Sequence, residues 1–428
     1  MPPPLARNRI AILAYHRAMS DTDRHTASNP AVSPDLDPDA PLPGAPDPWA
    51  GSEMPEVRPG PPYVMTDMVA AEPALARRVL ERLGAPGGPA AGLAEVIRTT
   101  ALAGDPIVVT GCGTSEHGAL AAAEILRDAL AAAGIGRPAS PPMAAQAFEL
   151  ALEPPAGGLC IGVSHEGGTW ATNLALAAAR ARGCATALIT VSDRSPGAAL
   201  ADIVVATEEM DQGWCHTVGY ASPLLAASAV AGHLAPPAPA VEAVCALLDA
   251  GLGQAGAAAR IGREIAASGH LVVVGSGADR PAARELVLKI EEGCWIPSAM
   301  RDLETMLHGH LPATDAATAL VLLLAERRGR AERVARARQL LEAAAVIGLR
   351  SGAILAAGAA EALPEELTPA GRIVVPEAPG LRPAVAALLG TLTPLQLVTE
   401  RSARARGTNP DPIRRDNPVY REAASRAE

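Results

Sequence analysis

With 428 residues the chain is long enough for two ordinary cores, because domains run to roughly 100–200 residues. A formal charge of −10 with no long basic run lacks the electrostatic footprint of a nucleic-acid partner. Hydrophobic residues make up 49%, yet charges, Gly or Pro interrupt each apolar run well before the ~20 residues that a membrane span requires, so no membrane partner is expected either.

Residues 1–64 are rich in Pro, Asp, Ala and Ser and show little periodicity. Such composition buries too little apolar surface to offset ordering entropy, and a disordered tail is expected. Within it RNRIAILAYHRAM is too short and interrupted for a secretory leader. Met65 opens MTDMVAAEPALARRVLERL, where Thr66 or Asp67 is placed to cap a helix, and translation is expected to start there. From Pro106 short apolar runs alternate with helix-length Ala/Leu-rich stretches: IVVT from Ile107, LCIGV from Leu159, TALIT from Thr186 and IVVAT from Ile203. That alternation predicts parallel strands with crossover helices. After a Pro/Ala-rich stretch the pattern restarts with LVVVG from Leu271, ALVLLLA from Ala319, GAILAA from Gly352 and RIVVP from Arg372. The reading is an α/β protein with an internal duplication: a first lobe at 65–235, a linker at 236–258, a second lobe at 259–390, and a C-terminal helix and tail at 391–428. Pro394 is expected to break or kink the last helix. Aromatics are only 2%, so the core is left to Ala, Leu, Val and Ile. The six cysteines stand singly, in no CxxC pair, and free thiols in a reducing cytoplasm are expected.

Two segments of the first lobe carry hydroxyls at strand-to-helix turns. VVTGCGTSEHGALAAAEIL places Thr114 and Ser115 after a strand, and LCIGVSHEGGTWATNLALAAARARG places Ser164 and Thr169 likewise. Free N–H groups and the helix dipole at such a turn favour an anion, and both turns fall at the carboxyl ends of strands, where ligands of open α/β sheets bind. Either turn alone is equally well read as a helix cap; the pair together favours a phosphate cradle. In the second lobe Glu285, Lys289 and Glu292 are spaced i, i+4, i+7 and share a helical face. Every other basic residue is Arg, so the single Lys289 hints at a position that needs a compact ammonium. The trio could form an exposed Glu–Lys–Glu ladder on the helix surface, but the flanking Val287, Leu288 and Ile290 argue for a buried helix, where a neighbouring ammonium and desolvation tune a carboxylate for proton transfer.

Taken together, GCGTSEHGA, then SHEGGT about fifty residues on, then DRSPGAALADIVV resemble a sugar isomerase (SIS) domain, with its patterns GxGTSxHA, SxSGET and SxLAxxAD. The stretch VVVGSGADRPAARELVLKIEEGCWIPSAMRDLETMLHGH is similar to the second SIS domain in the isomerase half of glucosamine-6-phosphate synthase. The resemblance spans about Met65 to Asn417. It implies two tandem SIS lobes, each a parallel sheet flanked by helices in a flavodoxin-like three-layer sandwich. It also implies that Thr114, Ser115, Ser164 and Thr169 hold a substrate phosphate, that Glu285, Lys289, Glu292 and His308 belong to the active site, and that no cofactor or metal is needed. Glu292 would shuttle a proton between C1 and C2 through an enediol. His308 would assist ring opening in a partner subunit's site, within a homodimer or larger homo-oligomer.

The sequence departs from that pattern in ways that shape the expected function. Nothing in these residues resembles a glutaminase half with its N-terminal nucleophilic Cys, so the expected activity is sugar-phosphate isomerisation, or deamination or deglycation of an amino-sugar phosphate. The loop SxSGET carries Glu166 where the second Ser stands and Gly168 where Glu stands, and a carboxylate facing phosphate is repulsive; either Glu166 points away or the substrate is not a simple phosphate ester. GWCHTV replaces the usual GVASTK, so His216 stands at a Ser position, and His165, Glu166 and His216 could form a new acid–base cluster or simply face water. The terminal Lys that the family associates with imine chemistry is absent. The competing readings are a non-catalytic sugar-phosphate sensor and a metal-dependent hydrolase built on His165, Glu166 and His216; HExxH spacing is absent around His308 and His310.

Overall fold

Strands made of unbroken apolar residues need cover on both faces, and the fold supplies it twice. The computed structural model describes residues 37–135 and 141–427. The first sheet holds β1 (Ile107–Gly111), β2 (Met143–Gln146), β3 (Leu159–Val163), β4 (Ala185–Thr190) and β5 (Ile203–Ala206), in spatial order β2-β1-β3-β4-β5. The second holds β6 (His270–Gly275), β7 (Ser298–Asp302), β8 (Thr318–Leu324), β9 (Arg350–Ala356) and β10 (Gly371–Val375), in order β10-β9-β8-β6-β7. All strand pairs are parallel, with Ile107 opposite Leu159 in one sheet and Leu271 opposite Ala319 in the other. Both sheets therefore follow the flavodoxin-like order 2-1-3-4-5, and the expected duplication is present at the level of topology. The two strands without an expectation, β2 and β7, are edge strands of mixed exposure with no apolar run.

Alternation along each strand sorts side chains to two layers. Ile107, Val109, Ile161 and Val163 join a core that continues into the second lobe, whereas Val108, Cys160 and Leu188 join a separate cluster on the opposite face. The shared core is built around two helices, Val218–Leu234 and Pro383–Arg406, both buried over most of their length. The second runs through Pro394 as one helix, so the expected break does not occur there. Close packing on both sides holds it there: Thr393 donates to the Leu248 carbonyl at 3.0 Å, and Leu392 and Leu395 are fully buried. The stretch expected as a linker contains the helix Val241–Leu252, which packs on the helix Val64–Leu83. All six cysteines are free, and among the described residues no helix is long and apolar enough to cross a membrane.

The expected disordered tail needs correction. The segment RNRIAILAYHRAM and the rest of 1–36 lie outside the described residues, but 37–63 is laid across the first lobe as an ordered strap, with Leu42 and Tyr63 each 5% exposed. The helix Val64–Leu83 begins just after it. Thr66 accepts the Tyr63 N–H at 3.1 Å, and Asp67 pairs with Arg58 at 2.8 Å. The acceptor for the helix start comes from the other end of the chain: Asp411, fully buried, accepts the N–H groups of Val64 and Met65, each at 2.9 Å. Asp411→Ala should lower stability by about 1–3 kcal/mol, because it orphans two buried donors; an unchanged urea midpoint would deny the cap that role.

Candidate functional site

The first turn forms because β1 runs straight into a helix, Thr114–Ala132. Gly111 permits this: a Cβ there would lie 2.5 Å from the Ser115 carbonyl oxygen. Thr114 and Ser115, 7% and 8% exposed, open that helix, and His117 follows one residue short of a turn on. The helix Asp279–Cys294 of the second lobe packs against it. Thr114 donates to Glu285 Oε1 at 3.2 Å, and His117 Nδ1 lies 2.7 Å from Glu285 Oε2. The Glu285 carboxylate thus joins the hydroxyl turn of one lobe to the acidic–basic helix of the other.

Lys289, with a side chain 1% exposed, lies between two carboxylates, 3.6 Å from Glu285 and 2.5 Å from Glu292. The trio is buried and not a surface ladder, although Glu292 keeps 22% of its side chain open. Burial pushes the Glu285 carboxyl up, but Lys289, His117 and Thr114 outweigh it and hold the group below its ordinary value. Burial wins at Glu292 and keeps it above the ordinary value against the pull of Lys289. Burial disfavours the Lys289 ammonium, yet Glu292 and Glu285 together raise it. Two carboxyls on one helix face are thereby pushed in opposite directions, the arrangement that separates a fixed anion from a proton carrier.

The second turn follows β3. Ser164 is fully buried and its hydroxyl donates to Thr169 Oγ1 at 3.2 Å; Thr169 is exposed and precedes the helix Trp170–Ala181. His165 turns inward, where its Nε2 accepts the Asp211 N–H at 2.8 Å, so that nitrogen carries no proton. Asp211 in turn accepts from the N–H groups of Thr217 at 2.7 Å and Gly219 at 3.0 Å, and this pins the loop carrying His216. The two imidazoles sit 5.4 Å apart between centroids, and in the same loop the Cys215 thiol lies 4.0 Å from the Lys289 carbonyl oxygen. Glu166 does not join the pair: its carboxylate accepts the Ser52 N–H at 2.8 Å and the Ser52 hydroxyl at 2.6 Å. Among the described residues no group of three or more His, Cys, Asp or Glu is gathered that could hold a metal ion.

Burial, then His216, holds His165 down at about 3 against the pull of Asp211, and burial, then Lys289, holds His216 at about 4 against Glu166 and Glu285. Both values lie below the roughly 6.5 of a free imidazole, so the unfolded chain binds the extra protons. Each ring therefore contributes stability that is complete above pH ~6.5 and lost as the pH falls through its folded value. His216→Asn should reduce the stability lost between pH 7 and 5 by about 1–2 kcal/mol, measured as urea midpoints at the two pH values. Asp279, raised by burial to about 7, and Asp411, raised by burial to about 6, act with the opposite sign, so the difference between parent and variant isolates His216. A parallel loss in parent and variant would deny the effect.

His308 stands apart from the other expected residues. It is 70% exposed and pairs with Glu304 at 2.7 Å, which also binds Arg336. Conversely, His117 was not singled out by sequence reasoning although it belongs to GTSEHGA, three residues after Thr114 on one helix face.

No family model matches the sequence, and no curated protein does. Solved structures do match. They include the C-terminal domain of glucosamine-fructose-6-phosphate aminotransferase from Francisella tularensis, with a TM-score of 0.70, 17% identity and coverage of 83% of this chain and 99% of that one. The tagatose-6-phosphate ketose/aldose isomerase from Escherichia coli gives a TM-score of 0.63, 18% identity and coverage of 84% and 97%. The glucosamine-6-phosphate deaminase from Thermotoga maritima gives 0.50, 19%, 72% and 88%. The architecture is thus that of a two-lobed α/β protein with two parallel sheets. More particularly, the chain has the tandem SIS fold, with both lobes present.

Proposed function

We propose that the chain acts on a sugar phosphate by enediol-type proton transfer, interconverting aldose and ketose forms; on an amino-sugar phosphate, the same proton transfer followed by water displacing the amine would give deamination. The observation that carries this reading is the joining of Thr114 and His117 to Glu285, which sets a hydroxyl-lined strand end against a buried carboxylate–ammonium–carboxylate helix. In this scheme the Glu292 carboxylate removes the proton from the carbon beside the carbonyl, and the electron pair moves onto the carbonyl oxygen. Lys289 offsets the negative charge that develops there, Glu292 returns the proton to the neighbouring carbon, and the hydroxyl proton passes from the second oxygen to the first, so that the carbonyl has moved by one carbon. A carboxyl raised toward neutrality suits that exchange. Ser115, Ser164 and Thr169 would receive the phosphate, and His308 of a second copy would serve ring opening.

The test is incubation in D₂O with hexose, pentose and amino-sugar phosphates, followed by NMR of the recovered sugars. Solvent deuterium at C1 or C2 is expected for the true substrate. Absence of exchange with every member of the panel, on folded protein, would overturn the reading. One observation favours a binding protein without turnover: His308 is exposed and held by Glu304, away from the Lys289 helix. A ligand-dependent rise in melting temperature without deuterium exchange would select that alternative.

A further inference from the structure

The two positions at which the loop Ser164–Thr169 departs from SxSGET are the two that touch the strap. Glu166 accepts both the N–H and the hydroxyl of Ser52, and its carbonyl accepts Trp49 Nε1–H at 3.0 Å. Gly168 lies under the Trp49 ring: a Cβ there would come within 2.9 Å of it. The carboxylate that seemed to oppose a phosphate is therefore turned outward and used as a grip.

The rest of the strap has the build of a tethered span. Leu42 fixes one end, buried and donating its N–H to Glu209 at 2.9 Å. Pro55 and Arg58 are buried at the other. Between them, residues 43–54 form no helix or strand, and none is buried. Their side-chain anchors are the Ser52 and Trp49 contacts and an exposed Asp47–Arg194 pair at 2.5 Å. Trp214 Nε1–H donates to Ser52 Oγ at 3.2 Å, and Arg415 lies 5.2 Å from the Trp214 ring centroid, so the C-terminal segment backs the same latch. Three of the four tryptophans, Trp49, Trp170 and Trp214, thus stand at this loop in a chain with 2% aromatics, giving it flat apolar faces of the kind that pack on sugar rings.

We propose that residues 43–54 are a lid on the first-lobe ligand loop, latched by Ser52 on Glu166 and seated by Trp49 on Gly168, and that a sugar phosphate, which already meets the exposed Thr169, reaches the buried Ser164 hydroxyl when the latch opens. This rests on the sugar-phosphate reading for its ligand, while the latch itself is a property of the free protein. Two measurements on the full chain separate them. In hydrogen–deuterium exchange without ligand, Ser52→Ala and Glu166→Ala should each speed exchange of the residue-52 amide, which donates to the Glu166 carboxylate, by about ten-fold or more, since each removes a hydrogen bond to a charged group, with β1 and β3 unchanged. In stopped-flow tryptophan emission with fructose 6-phosphate, and with inorganic phosphate as a second probe, Ser52→Ala should associate several-fold faster than the parent. Unchanged exchange in both variants overturns the lid, as does equal association when a probe binds. If neither probe binds parent or variant, the sugar-phosphate reading loses support, and the exchange result alone upholds or overturns the latch.

Discussion

Glu292→Gln is expected to reduce kcat by about 10²–10⁴-fold on the true substrate while leaving ligand affinity near that of the parent, the loss typical of removing a positioned acid–base group. Gln keeps an oxygen that can accept from Lys289, now 2.5 Å from the carboxylate, so the helix Asp279–Cys294 retains its packing and the variant should fold. What it loses is the proton. The position is partly open, at 22% exposure, whereas Glu285 on the same face is sealed at 1%, which leaves Glu292 the carboxylate of the pair that a substrate carbon can approach. Glu285→Gln should behave differently, weakening the junction with Thr114 and His117 and acting on stability as well as rate. Deuterium exchange from D₂O into substrate measures the step directly. Parent-level exchange by Glu292→Gln would remove Glu292 from the mechanism.

Much of this was legible in the sequence, and the misses have physical causes. Strands such as LCIGV and ALVLLLA announce themselves because a strand covered on both faces is apolar throughout. MAAQ and SAMRD lie at sheet edges with one side toward solvent, and nothing in their composition marks them. The face shared by Glu285, Lys289 and Glu292 follows from helical spacing alone. The contact of Glu285 with Thr114 does not, since it depends on how two lobes meet. The strap escapes a compositional reading because low apolar content argues against order. It is ordered instead by a few polar contacts on a stretch rich in proline, whose restricted backbone has less conformational freedom to lose. His308 follows a motif whose spacing carries no information about where the fold places the side chain, which is exposed beside Glu304.

Lys289→Met should cost about 3–5 kcal/mol, the range found when one partner of a buried ion pair is removed and the other is left uncompensated. The only lysine of the chain sits with 1% of its side chain exposed between two carboxylates. Without it Glu285, equally sealed, keeps only His117 and Thr114, and desolvation then drives its carboxyl upward. The deficit should accordingly narrow as the pH is lowered from 7 to 5 and Glu285 takes up a proton, the reverse of its behaviour in the parent. A second substitution tests the cause. Glu285→Gln in the Lys289→Met background should cost less than it does alone, because the charge left stranded is itself removed, and a double-mutant cycle in urea reads that coupling. Lys289→Arg should not restore the parent, since a planar guanidinium does not occupy the space of a compact ammonium. Additive losses, or a Lys289→Met midpoint equal to the parent's, would mean that the ammonium is not what holds the two carboxylates in place.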